Sequence, residues 1–240
     1  MDGVTPIGDG MVNFYAVDDG DGITLVDTGL PSDYERLREL LGERFRDIRA
    51  VLITHAHPDH VGLAERLRVE TGATVWAHRL DAPILATPRL AGTLAKPERS
   101  LVGYLARRPS TLGLPLRLAR SGAFRVTPVP AVSTFDGGKL DVPGRPEAIP
   151  VPGHTPGSTA FLFADHGVLF TGDALVTHDG ITGGHGPRIV CRAFTHDSKA
   201  ALAALDALKG IDASILPGHG DPYDAGVDTA VATARQVGPT

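Results

Sequence analysis

Thr54-His55-Ala56-His57-Pro58-Asp59-His60 is the stretch around which the rest of this sequence organises itself. Three histidines and one aspartate fall within the six residues 55–60. Packed into a core, neutral imidazoles would waste apolar positions, and protonated ones would repel each other. A divalent cation removes both difficulties, because imidazole nitrogen and carboxylate oxygen are its ordinary donors. His55 and His57 lie two apart, so an extended backbone presents both on one side. Asp59 and His60 follow a proline turn at the start of a helix, where they can face a second ion. The apolar run Ala50–Ile53 before the cluster reads as a buried strand. The segment from about His60 to Glu70, closed by Gly72, reads as a helix. The donors therefore occupy a loop between a strand and a helix, a usual place for chemistry in a layered α/β protein.

Working outward, Met11–Val17 and Gly22–Val26 are apolar runs separated by DDGDG, which predicts a hairpin. Pro31 and Ser32 open a helix, with Ser32-x-x-Glu35 as a capping box and Tyr34, Leu37, Leu41, Phe45 and Ile48 at helical spacing. Thr74–Ala77 is the next strand. Later in the chain, Thr159–Phe163 and Val168–Phe170 form a second hairpin around ADHG. A helix follows from about Ser198 to Lys209, capped within Thr195–Ser198, and then a strand at Ala213–Leu216. Each hairpin ends in a small polar cluster bearing an aspartate, VDTGL at 26–30 and TGDAL at 171–175. This weak internal repeat predicts two similar αβ halves packed face to face.

Residues 83–125 differ from their surroundings. Apolar residues recur at helical spacing (Leu101, Tyr104, Leu105; Leu112, Leu116), interrupted by Pro109 and Pro115. From Arg89 to Arg125 there are eight basic residues against one acidic residue, Glu98. We read 83–125 as a helical lid inserted into a single domain spanning 1–240, its leucines receiving an apolar acyl chain and its arginines an anionic group. A solvated helical excursion with a charged face is the plainer alternative.

The cluster at 55–60 cannot complete two four-coordinate sites alone. Three further donors stand in loops where a site is expected: His154 in PGHTPGS (152–158), Asp173 in TGD (171–173), and His219 in PGHG (217–220). The other histidines, His78, His166, His178, His185 and His196, match no ligand pattern and take a surface or supporting role. His185, in the glycine-rich TGGHG, is the best placed of them for substrate contact. Tyr223 stands near His219 in sequence as a donor to a developing oxyanion, although an ordinary packed tyrosine is the simpler reading.

HAHPDH, GHTPGS, TGD and PGHG, in this order, resemble the motifs of the metallo-β-lactamase fold superfamily across essentially the whole chain outside the insertion. The resemblance implies a four-layer αββα sandwich with a dinuclear centre at one sheet edge. It implies that His55, His57 and His154 hold one ion, that Asp59, His60 and His219 hold the other, and that Asp173 bridges them. Asp27 of LVDTG matches a supporting position.

Departures from the family's branches narrow the chemistry, since the fold alone does not decide it. True β-lactamases of this fold lack a bridging aspartate at the position of Asp173. Glyoxalase II enzymes add a C-terminal helical domain, whereas 21 residues follow His219 here. Quorum-signal lactonases typically carry a tyrosine three residues after the bridging aspartate, where this chain has Val176. RNA-processing relatives need a basic exosite, and a net charge of −5 offers no global basic field. There is no nucleophile elbow, and none is needed if two cations deliver a bridging hydroxide at neutral pH. The expectation is hydrolysis of a carboxylic ester, thioester or lactone, with Asp59 carrying the proton to the leaving group. Two divalent ions are implied, zinc first, with iron or manganese also suited to N/O donors. The alternative is a mononuclear iron oxygenase resembling persulfide dioxygenases, which would use the first site alone. A non-catalytic binding protein is disfavoured because all seven donors are intact. The substrate is expected to be a small molecule, anionic or acyl-bearing. Nucleic acid is not expected as a partner, nor is a membrane span. With one cysteine, Cys191, and no basic-then-apolar leader, the chain reads as cytoplasmic.

Overall fold

The computed structural model describes residues 2–240, with the backbone alone at Ser110 and Pro115. Strands β1 (Val4–Pro6), β2 (Tyr15–Asp18), β3 (Ile23–Val26), β4 (Ile48–Ile53), β5 (Thr74–His78) and β6 (Ser133–Phe135) form a six-stranded sheet in that order. β1, β2 and β3 are antiparallel, and β3 to β6 run parallel. The next four strands are β7 (Gly138–Lys139), β8 (Glu147–Pro150), β9 (Thr159–Phe163) and β10 (Val168–Gly172). β11 (Val176–Asp179) and β12 (Gly184–Arg188) make a separate hairpin. β13 (Ser214–Pro217) completes a second sheet of order β13-β10-β9-β8-β7, in which only β13 and β10 are parallel. The helices are α1 (Tyr34–Leu41), α2 (Pro58–Val61), α3 (Ala64–Thr71), α4 (Ala82–Ala86), α5 (Ala91–Leu94), α6 (Val102–Arg107), α7 (Gly113–Arg120), α8 (Ser198–Ala204) and α9 (Val227–Val237). Among the described residues, no helix is long and apolar enough to cross a membrane.

Strand alternation sorts the apolar residues into three layers. Val51, Ile53, Val75 and Ala77 face one way, onto Leu37, Phe45, Leu63 and Leu67 of the first helical layer. Their neighbours Ala50 and Leu52, with Tyr15, Val17 and Val26, face the other way and meet Phe161, Phe163, Phe170 and Leu216 of the second sheet. On that sheet's far face, Ala160, Leu169 and Ile215 pack under Ala201, Leu205, Ala230 and Ala234. Helix, sheet, sheet and helix thus stack as an αββα sandwich, with α8 and α9 on the outside of the second sheet.

Three local expectations need correction. β2 begins at Tyr15, not Met11, because residues 11–14 bend away to clamp the loop after β13. Asn13 donates its backbone N–H to the Gly218 carbonyl and its side-chain amide to the Pro217 and Gly220 carbonyls. The capping residue near α1 is Asp33, whose carboxylate accepts from the Leu30 N–H at 2.7 Å, and Ser32 caps nothing. The helix expected from His60 to Glu70 is two helices, α2 and α3. Gly62 lies between them, where its N–H donates to the Gly29 carbonyl and an added Cβ would sit 2.4 Å from that oxygen. The chain between α3 and β5 turns at Gly72 in the left-handed region, as the sequence suggests.

Candidate metal centre

The donor loops leave the strand ends at one edge of the sandwich: 54–57 after β4, 151–158 between β8 and β9, 173–175 after β10, and 218–220 after β13. Asp27, just past β3, adopts φ +60, uncommon for a non-glycine residue. From there its Oδ1 accepts from the Thr54 N–H and its Oδ2 from the Thr54 hydroxyl, each at 2.8 Å. The same Oδ2 lies 2.8 Å from His60 Nδ1.

These contacts decide the tautomers. The Thr54 hydroxyl spends its proton on Asp27, so His55 must donate Nδ1–H to that hydroxyl oxygen, 3.0 Å away. His60 donates Nδ1–H to Asp27, and His219 donates Nδ1–H to the Met11 carbonyl. All three rings therefore aim Nε2 at one region, as metal-binding histidines do when their other nitrogen is held by an acceptor.

Two donor groups result, each with its ligand atoms within 4.8 Å of one another. One is His55, His57, His154 and Asp173, and the other is Asp59, His60 and His219. His57 Nδ1 and His154 Nε2 are 2.9 Å apart. Asp173 stands between the groups. One oxygen lies 3.8 Å from His55, 3.5 Å from His154 and 3.1 Å from His219, and the other lies 3.4 Å from His60. Asp59 lies 3.8 Å from His60 and 3.6 Å from His219. His55 Nε2, His60 Nε2 and Asp173 Oδ1 are buried without a hydrogen-bond partner, a costly arrangement unless something else satisfies them.

Electrostatics fit the same occupant. Burial holds His55 and His154 well below the ordinary imidazole range and lowers His57, leaving neutral rings with free lone pairs. Burial also opposes charge on His60 and His219. At His60, Asp173, Asp27 and Asp59 outweigh it and hold the ring well above the usual value. At His219, Asp173 and Asp59 raise the pKa to about 9. Burial would raise Asp173, but His219 and His60 override it and keep the carboxyl well below the usual range. Metal binding would release the protons that now balance those carboxylates.

Three residues that no motif announces complete the centre. Asp81, buried after β5, accepts from the Ala56 N–H (2.9 Å), the Gly157 N–H (2.8 Å) and the Thr155 hydroxyl (2.7 Å). It thereby ties the 54–57 loop to the 153–158 loop across the two sheets, and a Cβ on Gly157 would sit 2.6 Å from its Oδ1. Asn13 is the second, through the clamp on 217–220. His178 is the third: it lines the cavity above the donors and stacks on His185 with ring centroids 4.5 Å apart.

That cavity has a volume of about 350 Å³ and reaches His57, Asp59, Asp173 and His219. Leu101, Leu114, Leu118 and Phe124 of the helical segment wall it. Two weaker site expectations fall elsewhere. His185 is exposed behind His178, outside the cavity lining. Tyr223 pairs with Ile215 and packs in the core under α8 and α9. The insertion's arginines also depart from expectation, since none of its eight basic residues lines the cavity. Arg108 donates to the Thr182 carbonyl and Arg117 pairs with Asp9.

A family model described as the metallo-beta-lactamase superfamily matches residues 7–220, a range that includes all seven donors. The chain belongs to the metallo-beta-lactamase superfamily. Among curated relatives, it is similar to the uncharacterized protein YobT of Bacillus subtilis, 31% identical over 170 residues. That match spans 71% of this chain and 64% of YobT, a little under two thirds of the relative's length. It is also similar to the hydroxyacylglutathione hydrolase GloC of Haemophilus influenzae, 26% identical over 203 residues, covering 85% of this chain and 82% of that one. Among solved structures, the metallo-beta-lactamase family protein TTHA1429 of Thermus thermophilus aligns with a TM-score of 0.70 at 26% identity, covering 97% of this chain and 78% of its own. TTHA1623, solved in a di-iron-bound form, aligns at 0.65 and 26%, covering 94% and 96%. An enzyme named as a hydrolase thus stands among its relatives, and its own described residues include two groups of donors able to hold a metal ion.

Proposed function

We propose that this protein is a dinuclear metal-dependent hydrolase of carboxylic esters, thioesters or lactones. His55, His57 and His154 would hold one ion, Asp59, His60 and His219 would hold the other, and Asp173, between the two groups, would be shared by both. The observation that carries this reading is the pair of donor groups meeting at Asp173 on the floor of a mainly apolar cavity. Two bound divalent ions supply Lewis acidity and a water deprotonated at neutral pH. The chain's own residues do the rest. Asp27 and the Met11 carbonyl keep the histidine nitrogens aimed. The segment 83–125 acts as a lid whose leucines exclude water from the reacting carbonyl. Asp59, with its side chain 17% exposed at the cavity floor, carries a proton to the departing oxygen or sulfur.

The test is metal content per chain on protein purified without added metal, followed by a screen of esters, thioesters and lactones. Two ions, zinc or iron, together with hydrolysis of one of these classes are expected. One iron per chain with oxygen uptake would replace this reading by a mononuclear oxygenase.

A further inference from the structure

Apart from the metal donors, His178 and Asp179, the cavity lining is apolar, with Leu101, Leu114, Leu118, Phe124, Ile181 and Phe194 its largest side chains. Among the described residues, no lysine or arginine lines it. The remaining ionisable lining groups are His178 and Asp179. Asp179 is already committed, one oxygen accepting from the Ile181 and Thr182 N–H groups and the other from the Cys191 N–H. The cavity lining therefore offers no lysine or arginine to an anionic substituent, although eight basic residues lie in the segment that walls it. Phe124 lines the cavity and is 78% exposed, which places it at the mouth.

From this lining we infer that the cavity binds one unbranched apolar chain on the acyl side of the scissile bond. The substrate class is then a medium-chain acyl ester or thioester, an assignment that rests on the hydrolase reading above. The acyl side follows from what each half must do. The leaving heteroatom has to be protonated and released to water, which the partly exposed Asp59 allows. The enclosed apolar walls suit the half that stays bound. A volume of about 350 Å³ holds about a dozen groups the size of a water molecule. Methylenes are of comparable size, so a chain of about ten carbons fills it. This substrate differs from the glutathione thioester for which the Haemophilus relative is named, whose anionic portion would meet no lysine or arginine here.

Two measurements on the metal-loaded full chain test the inference. The first is equilibrium binding of straight-chain alkanoates from four to sixteen carbons by calorimetry. The second is hydrolysis of the matching p-nitrophenyl and thiol esters. Affinity should tighten about four-fold per methylene up to about ten carbons and then level off. Leu118→Trp should move that break to shorter chains by several carbons. If that variant folds poorly, Leu114→Phe, on the same helix, reads the same shift. Alkanoate affinity independent of length, on protein that hydrolyses esters, overturns the chain site and leaves the hydrolase reading standing. Length-dependent alkanoate binding without hydrolysis of any ester or thioester supports the chain site and overturns the hydrolase reading. Tightening by 1-alkanols but not by alkanoates overturns the acyl-side assignment.

Discussion

Two regions meet at the cavity, and they are held in place differently. In the donor loops, polar groups are fixed by buried carboxylates: Asp27 takes Thr54 and His60, and Asp81 takes Ala56, Thr155 and Gly157. In the helical segment, short helices turn leucines inward and leave Val102, Leu112, Leu116 and every basic side chain exposed. Among the polar contacts that tie the segment down, Glu98 accepts from Arg192 at 2.6 Å and from the Ser198 N–H at 2.8 Å. The donor loops are thus built for geometric precision, which metal chemistry needs at the scale of tenths of an ångström. The helical segment is built for apolar contact, which tolerates displacement. On this view, changes in the loops should affect turnover of every substrate, and changes in the segment should affect which substrate is preferred.

The sharpest break of that contrast is Asp173→Ala. It removes the carboxylate between the two donor groups, which should cost several kcal/mol of transition-state stabilisation, about 1,000-fold or more in kcat. The loss should be equal for short and long acyl chains, as read from steady-state kinetics with metal analysis alongside. A chain-length-dependent loss would show that the two regions are not separable.

Asp81→Ala comes next. It strands three buried donors, each costing about 1–3 kcal/mol when unsatisfied, so urea unfolding should register a loss of about 3 kcal/mol. A loss below about 1 kcal/mol would mean that the two loops are not held by this carboxylate.

Asp27→Asn should weaken metal binding at the Asp59, His60 and His219 group by about 10–100-fold and disturb the first group less, because Thr54 stands between Asp27 and His55. Dialysis against limiting metal should leave about one ion per chain. Equal loss from both groups would assign Asp27 to the whole centre.

Glu98→Gln should have the smallest effect, about 1 kcal/mol at this partly exposed pair. It should appear as several-fold faster proteolysis within 83–125, with unfolding of the sandwich little changed. Burial opposes ionisation of Glu98, but Arg192 and Ser198 outweigh it and hold its carboxyl below the usual range. A depressed carboxylate contributes stability that is complete above its unfolded pKa, about 4.3, and that fades as pH falls through the lower folded value. Protection of the segment in the unaltered protein should therefore be constant at neutral pH and fall only in acid.

Much of the centre was legible in the sequence because donor chemistry is local. An HAHPDH run has few reasons to exist besides a cation, and a glycine or proline beside His154, Asp173 and His219 marks loops whose backbone can approach a site closely. The layers were legible for a different reason: the repeated hairpin predicts two similar αβ halves, and the resemblance of the four ordered motifs implies an αββα sandwich. Asp33 replaces Ser32 as the cap within the same local turn, a shift of one residue, whereas the break at Gly62 escaped a local reading because it depends on the Gly29 carbonyl, 33 residues away. Only the tertiary structure decided that Asp81 and Asn13 brace loops distant in sequence from them, that Tyr223 packs in the core beneath α8 and α9, and that the insertion's leucines line the cavity while its arginines stay outside. Residue type and spacing determine what a segment can bind. Which of its faces turns inward depends on the chain packed against it, and that is settled only when the whole molecule folds.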